Sequence, residues 1–170
     1  MVARARSLLQ SELKQGRPFR SRTEEAVVGL FRTAEVVRRA LSAPVEAKGI
    51  TLQQYNVLRI LRGAGEAGLP TLDIGDRMVE HAPGVTRLLD RLEAKHLVRR
   101  RRCPEDRRQV LCWIEPAGER LLAELESPMR AAARRRMAGL GPGGLETLIA
   151  LMEAVRSDPS VPPAPTQGES

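Results

Sequence analysis

The sequence predicts a mostly α-helical fold carrying one small β-hairpin. Three observations predict it. Apolar residues recur at spacings of three and four along most of the chain, as in Val85, Leu88, Leu89 and Leu92, the period of a helix face packed on a core. Two short runs, Val98 to Cys103 and Val110 to Glu115, lose that period, and the polar stretch Pro104 to Gln109 joins them as a turn. Finally, 42% hydrophobic and 29% charged residues in 170 positions is ordinary globular composition, enough for one compact domain with an appended helical element.

Each element has a local cause. Residues 1–22 form a basic extension broken by Gly16 and Pro18, with an amphipathic helix expected from Ser7 to Lys14. A strong helix is expected over 23–41: Thr23 caps it, Glu24 and Glu25 favour its positive end, and Val27, Leu30, Ala34, Val37 and Leu41 share a face. Pro44 and Gly49 are expected to interrupt. Thr51 caps the next helix, which buries Leu52, Tyr55, Leu58 and Leu61 and stops at Gly63 and Gly65. Thr71 opens a short helix to about Met78, and Val79 to Ala82 form a turn. Pro83 suits the first turn of a helix that runs to about Lys95, because its missing N–H is not needed there. After the hairpin, Pro116 starts a long helix that Pro128 kinks or divides. Gly139 to Gly144 end it, a last helix covers 145–156, and the Pro/Ser/Gly-rich residues 158–170 are expected to be a disordered tail.

Charge narrows the function. The net charge is +7, and residues 83–109 alone hold nine basic and four acidic side chains, a surplus of +5. A surplus that concentrated reads as an electrostatic footprint for a polyanion rather than as a solvated surface. Aromatic residues make up only 2% of the chain, too few for the stacking platforms of single-strand binders, so the expected partner is double-stranded DNA.

The order helix, short helix, turn, helix, hairpin is that of a winged helix-turn-helix, whose second helix enters the major groove N-terminus first. Gly84 lets the backbone approach phosphates, Thr86 can meet a phosphate or a thymine methyl, and Arg87 can fork onto guanine. Arg91 lies one turn on. At the hairpin tip Arg107 and Arg108 suit a narrow minor groove, and Asp106 can shape the tip by pairing with an arginine. With Thr71 and Pro83, these are the candidate DNA contacts. The competing reading is the wet face of a core helix beside a solvated turn. A non-specific architectural DNA binder would share the same surface without preferring a sequence.

The same residues resemble the MarR family of bacterial regulators. Asp106-Arg107-Arg108 followed by Val110 to Ile114 is similar to that family's wing. Residues 85–93 resemble its recognition helix, 52–58 its second helix, and Pro116-Ala117-Gly118 the start of its fifth, a match spanning about residues 24–156. The resemblance implies a homodimer on a pseudo-palindromic operator, usually a repressor released by a small aromatic or phenolic effector. It divides the chain into a helical dimerisation region (23–48 and 116–157) and a winged helix-turn-helix domain (49–115). It also places Arg38, Tyr55 and Arg59 as candidate ligand groups between the two. Three positions depart from the family: Glu115 where threonine is common, His96 where glycine is, and Ala82 where a hydroxyl residue caps the recognition helix.

Other functions find less support. Cys103 and Cys112 would face each other if the turn centred on Arg107 and Arg108, which would make a redox switch on the wing; two small strand residues is the simpler reading. His81, His96 and the cysteines form no compact metal cluster, so no metal and no cofactor are expected. No phosphate-binding loop, dinucleotide glycine pattern or nucleophile–base set points to an enzyme. Neither a secretory leader nor a membrane span is visible, so a cytoplasmic protein is expected.

Overall fold

The computed structural model describes residues 7–80, 84–103, 106 and 108–157. The expected tail, residues 158–170, lies outside them, as do His81, Ala82, Pro83 and Arg107. The chain divides into two compact units, residues 1–40 and 41–170.

In the first unit, helix α1 (Leu8–Glu12) is closed by a reciprocal capping box between Ser7 and Gln10. Helix α2 (Arg22–Glu46), whose residues from Leu41 on belong to the second unit, starts one residue earlier than the sequence suggests. Ser21, not Thr23, accepts from the Glu24 N–H at 3.0 Å, while the Glu24 carboxylate reaches back to the Arg20 N–H at 2.7 Å. Nor does Pro44 interrupt: α2 runs through it to Glu46. One lost hydrogen bond is outweighed by Val45, which is fully buried in the core of the second unit.

The second unit holds that core. Helix α3 (Leu52–Ala64) starts on a capping box in which Thr51 accepts from the Gln54 N–H at 3.2 Å and Gln54 returns the bond at 2.9 Å. It contributes Val57, Leu58 and Leu61 to the core, all fully buried. Strand β1 (Leu69–Pro70) leads directly into α4 (Thr71–Asp76), and α5 (Val85–Glu93) follows. Strands β2 (Val98–Arg102) and β3 (Val110–Ile114) complete an antiparallel sheet of order β1-β3-β2. Two residues containing a proline carry no strand pattern, so β1 is not legible in the sequence; it exists because β3 offers it an edge. Helix α6 (Pro116–Met137) is undivided at Pro128, whose ring is exposed, and α7 (Gly144–Arg156) buries none of its residues.

Two tight junctions hold the hairpin to the helices. The chain leaves α5 through His96 at φ +55°, with the Leu97 N–H bonded to the Leu92 carbonyl and the His96 N–H to that of Glu93. This is the 6→1 and 5→2 pair of a left-handed helix stop, at the position where glycine was expected. Where α6 begins, a Cβ on Gly118 would sit 2.5 Å from the Leu97 carbonyl oxygen and 2.8 Å from Ile114. Only a glycine lets α6 pass this close to the base of the wing.

Candidate nucleic-acid interface

Helix α5 sorts its residues by face. Leu88, Leu89 and Leu92 are buried, whereas Thr86, Arg87, Asp90 and Arg91 are exposed. Gly84 caps the helix at φ +103°, a conformation that favours glycine, and makes no side-chain cap bond. Thr86 and Arg87, both exposed, stand in the first turn of α5, beside the end of a helix that favours an anion.

Thr71 is used inside the domain. It is the first residue of α4 rather than its cap, and its hydroxyl donates to the Val110 carbonyl at 3.2 Å, tying α4 to β3.

At the wing tip Asp106 works on the backbone. Its carboxylate accepts from the Arg108 N–H at 3.0 Å and its carbonyl accepts from the Gln109 N–H at 2.9 Å. The acid thus shapes the turn through the backbone, and Arg108 remains exposed; whether Asp106 also pairs with Arg107 falls outside the described residues.

The arginine run 99–102 is split by the two-residue period of β2. Arg99 stacks 4.4 Å from the Trp113 ring centroid and pairs with Glu115 at 3.0 Å. Arg100 turns to the other face and pairs with Asp90 at 2.7 Å and Glu93 at 2.6 Å. Lys95 donates to the Gly49 carbonyl at 2.9 Å. Among the described residues, Arg87, Arg91, Arg101, Arg102 and Arg108 make no ion pair. Among the described residues, the footprint that composition spread over the whole segment therefore narrows to these five. Arg101 and Arg102 had no individual role from sequence, and strand alternation alone does not set them apart, because it puts Arg101 on the face of Arg99 and Arg102 on that of Arg100; what differs is the partners the fold supplies.

Cys103 and Cys112 do not face each other. Cys112 is opposite Arg100, and the Cys103 N–H bonds to the Gln109 carbonyl. The hairpin centres on Asp106, not on Arg107 and Arg108, which moves the register by three residues and puts the two thiols on opposite faces. The redox switch expected from the sequence needs the two cysteines opposite each other, and this register does not pair them. Burial also pushes the Cys112 thiol above its usual pKa, only partly offset by its contact with Thr71.

A cavity of about 170 Å³ opens beside α3, walled by Leu52, Tyr55, Asn56, Arg59, Met78 and Val79 among others. Tyr55 and Arg59 are thus brought together, the guanidinium carbon 6.0 Å from the ring centroid. Arg38 belongs to the other unit, where its guanidinium bonds Glu35. Sequence reasoning missed Met78 and Val79, which enter the wall from the segment between the two helices of the helix-turn-helix. No group of residues able to hold a metal ion and no helix long and apolar enough to cross a membrane occurs among the described residues.

Comparison with known proteins agrees with this architecture. The MarR family profile matches residues 50–110. A MarR transcription factor from Planctomyces limnophilus is 40% identical, with a TM-score of 0.64 over 81% of this chain and 99% of its own. The HTH-type transcriptional regulator YdgG of Bacillus subtilis is 29% identical over 130 residues, 75% of this chain and 84% of its own. Bordetella bronchiseptica BpsR, whose DNA binding is regulated by 6-hydroxynicotinic acid, shares the fold at 22% identity and a TM-score of 0.71, covering 84% of this chain and 99% of its own. With a winged helix-turn-helix in place and these likenesses across nearly the full length of its relatives, the chain belongs to the MarR family of DNA-binding transcriptional regulators.

Proposed function

We propose that this regulator acts as a homodimer on a pseudo-palindromic operator, as a repressor released by a small aromatic effector. One observation carries the reading: α5 exposes Thr86, Arg87 and Arg91 while its opposite face is fully committed to the core. Recognition of base edges falls to Thr86 and Arg87, with Pro83 and Gly84 admitting the backbone. Arg91 meets phosphate or a neighbouring base, and Arg107 and Arg108 enter the flanking minor groove. Thr71 contributes by holding α4 on the wing.

Dimerisation is assigned to residues 23–48 and 116–157, leaving 49–115 as the DNA-binding domain. Helix α7 exposes Leu145, Ile149, Leu151 and Val155 and buries nothing, while in the other unit Val27, Leu30 and Phe31 are exposed on α2. Apolar surface on this scale favours a second copy of the chain. The effector site is assigned to the cavity bearing Tyr55 and Arg59, whose size suits one aromatic ring; a carboxylate on that ring would meet Arg59. The effector regulation of BpsR supports this class of ligand.

The test is selection from a random-sequence duplex library followed by titration. A pseudo-palindrome with half-sites about one helical turn apart is expected, with affinity falling steeply as salt rises. Retention of duplexes with no shared sequence would favour the architectural reading instead. Hydroxynicotinate should release the selected duplex from the wild-type chain and not from Arg59→Ala.

A further inference from the structure

We propose that Arg100 is a positioning residue for DNA binding: it clamps the wing onto the recognition helix and does not contact phosphate. Its place in an unbroken run of four arginines reads as part of the DNA footprint. Its side chain, however, is only 22% exposed and is held by α5. The Arg100 N–H donates to Glu93 Oε1 at 3.1 Å, Nε to Glu93 Oε2 at 2.9 Å and Nη2 to the same oxygen at 2.6 Å. The same Nη2 lies 2.7 Å from Asp90 Oδ1.

Two consequences follow from this geometry. First, a guanidinium fork bonded to one carboxylate together with its own main-chain N–H fixes direction as well as distance. Arg100 is the middle residue of β2 and pairs with the fully buried Cys112 on β3, so fixing it to α5 fixes the hairpin that carries Arg108. Recognition helix and wing tip are then set at one spacing, as engagement of adjacent grooves requires. Second, the clamp explains two acids on a helix that faces a polyanion. Asp90 shares the exposed face of Thr86, Arg87 and Arg91, where an unpaired carboxylate would repel phosphate. Arg100 draws it, with Glu93, toward the wing.

The inference rests on the DNA-binding reading and makes a prediction of unusual sign. Removing an acid from a DNA-facing helix should strengthen binding if the acid acts only by its charge. If Glu93 is half of a clamp, Glu93→Gln should weaken it, by roughly tenfold. The probe is a duplex that the wild-type chain selects from a random library, examined by titration and by hydroxyl-radical footprinting, with thermal unfolding followed in parallel. In Glu93→Gln, protection should be lost at the flanks reached by the wing and kept in the major-groove half-sites. Arg100→Lys, which keeps the charge but not the fork, should behave the same way, and the slope of affinity against salt should match the wild type. Binding by Glu93→Gln as tight as wild type or tighter overturns the clamp. So does uniform loss of protection, or a salt slope reduced in Arg100→Lys as for a lost phosphate contact. Should Arg100→Lys fail to fold, the part-exposed Glu93→Gln still decides. A wild-type chain that selects no duplex would instead sink the DNA reading itself.

Discussion

His96 holds a left-handed backbone conformation at the exit of the recognition helix, with its side chain exposed. A Cβ in that region costs about 1 kcal/mol or slightly more. His96→Gly should therefore raise stability by about 1 kcal/mol in urea denaturation, with DNA affinity unchanged. The cysteines make a second test at this scale. A thiol whose pKa is raised holds less thiolate at any given alkaline pH, and Cys112 is also fully buried. At pH 8 an alkylating agent should modify the half-buried Cys103 first and reach Cys112 only on unfolding, as read by mass spectrometry. An intramolecular disulfide formed in the folded protein under mild oxidation would contradict the register.

Between elements the decisive contacts are short and directional. The wing meets α6 at Gly118, where the Leu97 carbonyl leaves no space for a Cβ. Gly118→Ala must push the helix off the hairpin and should cost about 1–3 kcal/mol, the range for overpacking, visible as a lowered melting temperature. The Thr71 hydroxyl makes the corresponding tie on the other side of β3. The roles proposed for the two exposed arginines of α5 predict different losses. Arg87→Ala should cost about 1–3 kcal/mol of DNA binding and relax base preference, whereas Arg91→Ala should weaken binding to all duplexes alike if its contact is a phosphate. Competitive titration against single-base variants of the selected duplex distinguishes the two.

At the scale of the whole molecule, assembly and electrostatics govern behaviour. Helix α7 buries none of its residues and exposes Leu145, Ile149, Leu151 and Val155, the apolar surface on which the proposed dimer rests. Placing charge there, as in Ile149→Glu with Leu151→Glu, should convert a dimer to monomers in sedimentation. It should also weaken binding to a two-half-site duplex far more than to a single half-site. The doubly substituted chain sedimenting as wild type would remove α7 from the interface.

The sequence by itself determined the helices with strong period and good caps, the hairpin, and the face of α5 that stays wet. These depend on neighbours three or four positions apart, and Thr51 with Gln54 or Leu88 with Leu92 are such pairs. It could also show a surplus of positive charge, since charge is additive along a chain. Only the tertiary structure decided which charges remain available. Arg99 and Arg100 are adjacent in sequence yet consigned to Trp113 and Glu115 on one face and to α5 on the other, because strand alternation and helix packing choose partners beyond the reach of a local pattern. The same holds for β1, which has no pattern of its own, for the continuation of α2 past Pro44, and for the hairpin register that separates the cysteines. Each is settled by contacts between segments, whose free energy exceeds the local preferences a sequence displays.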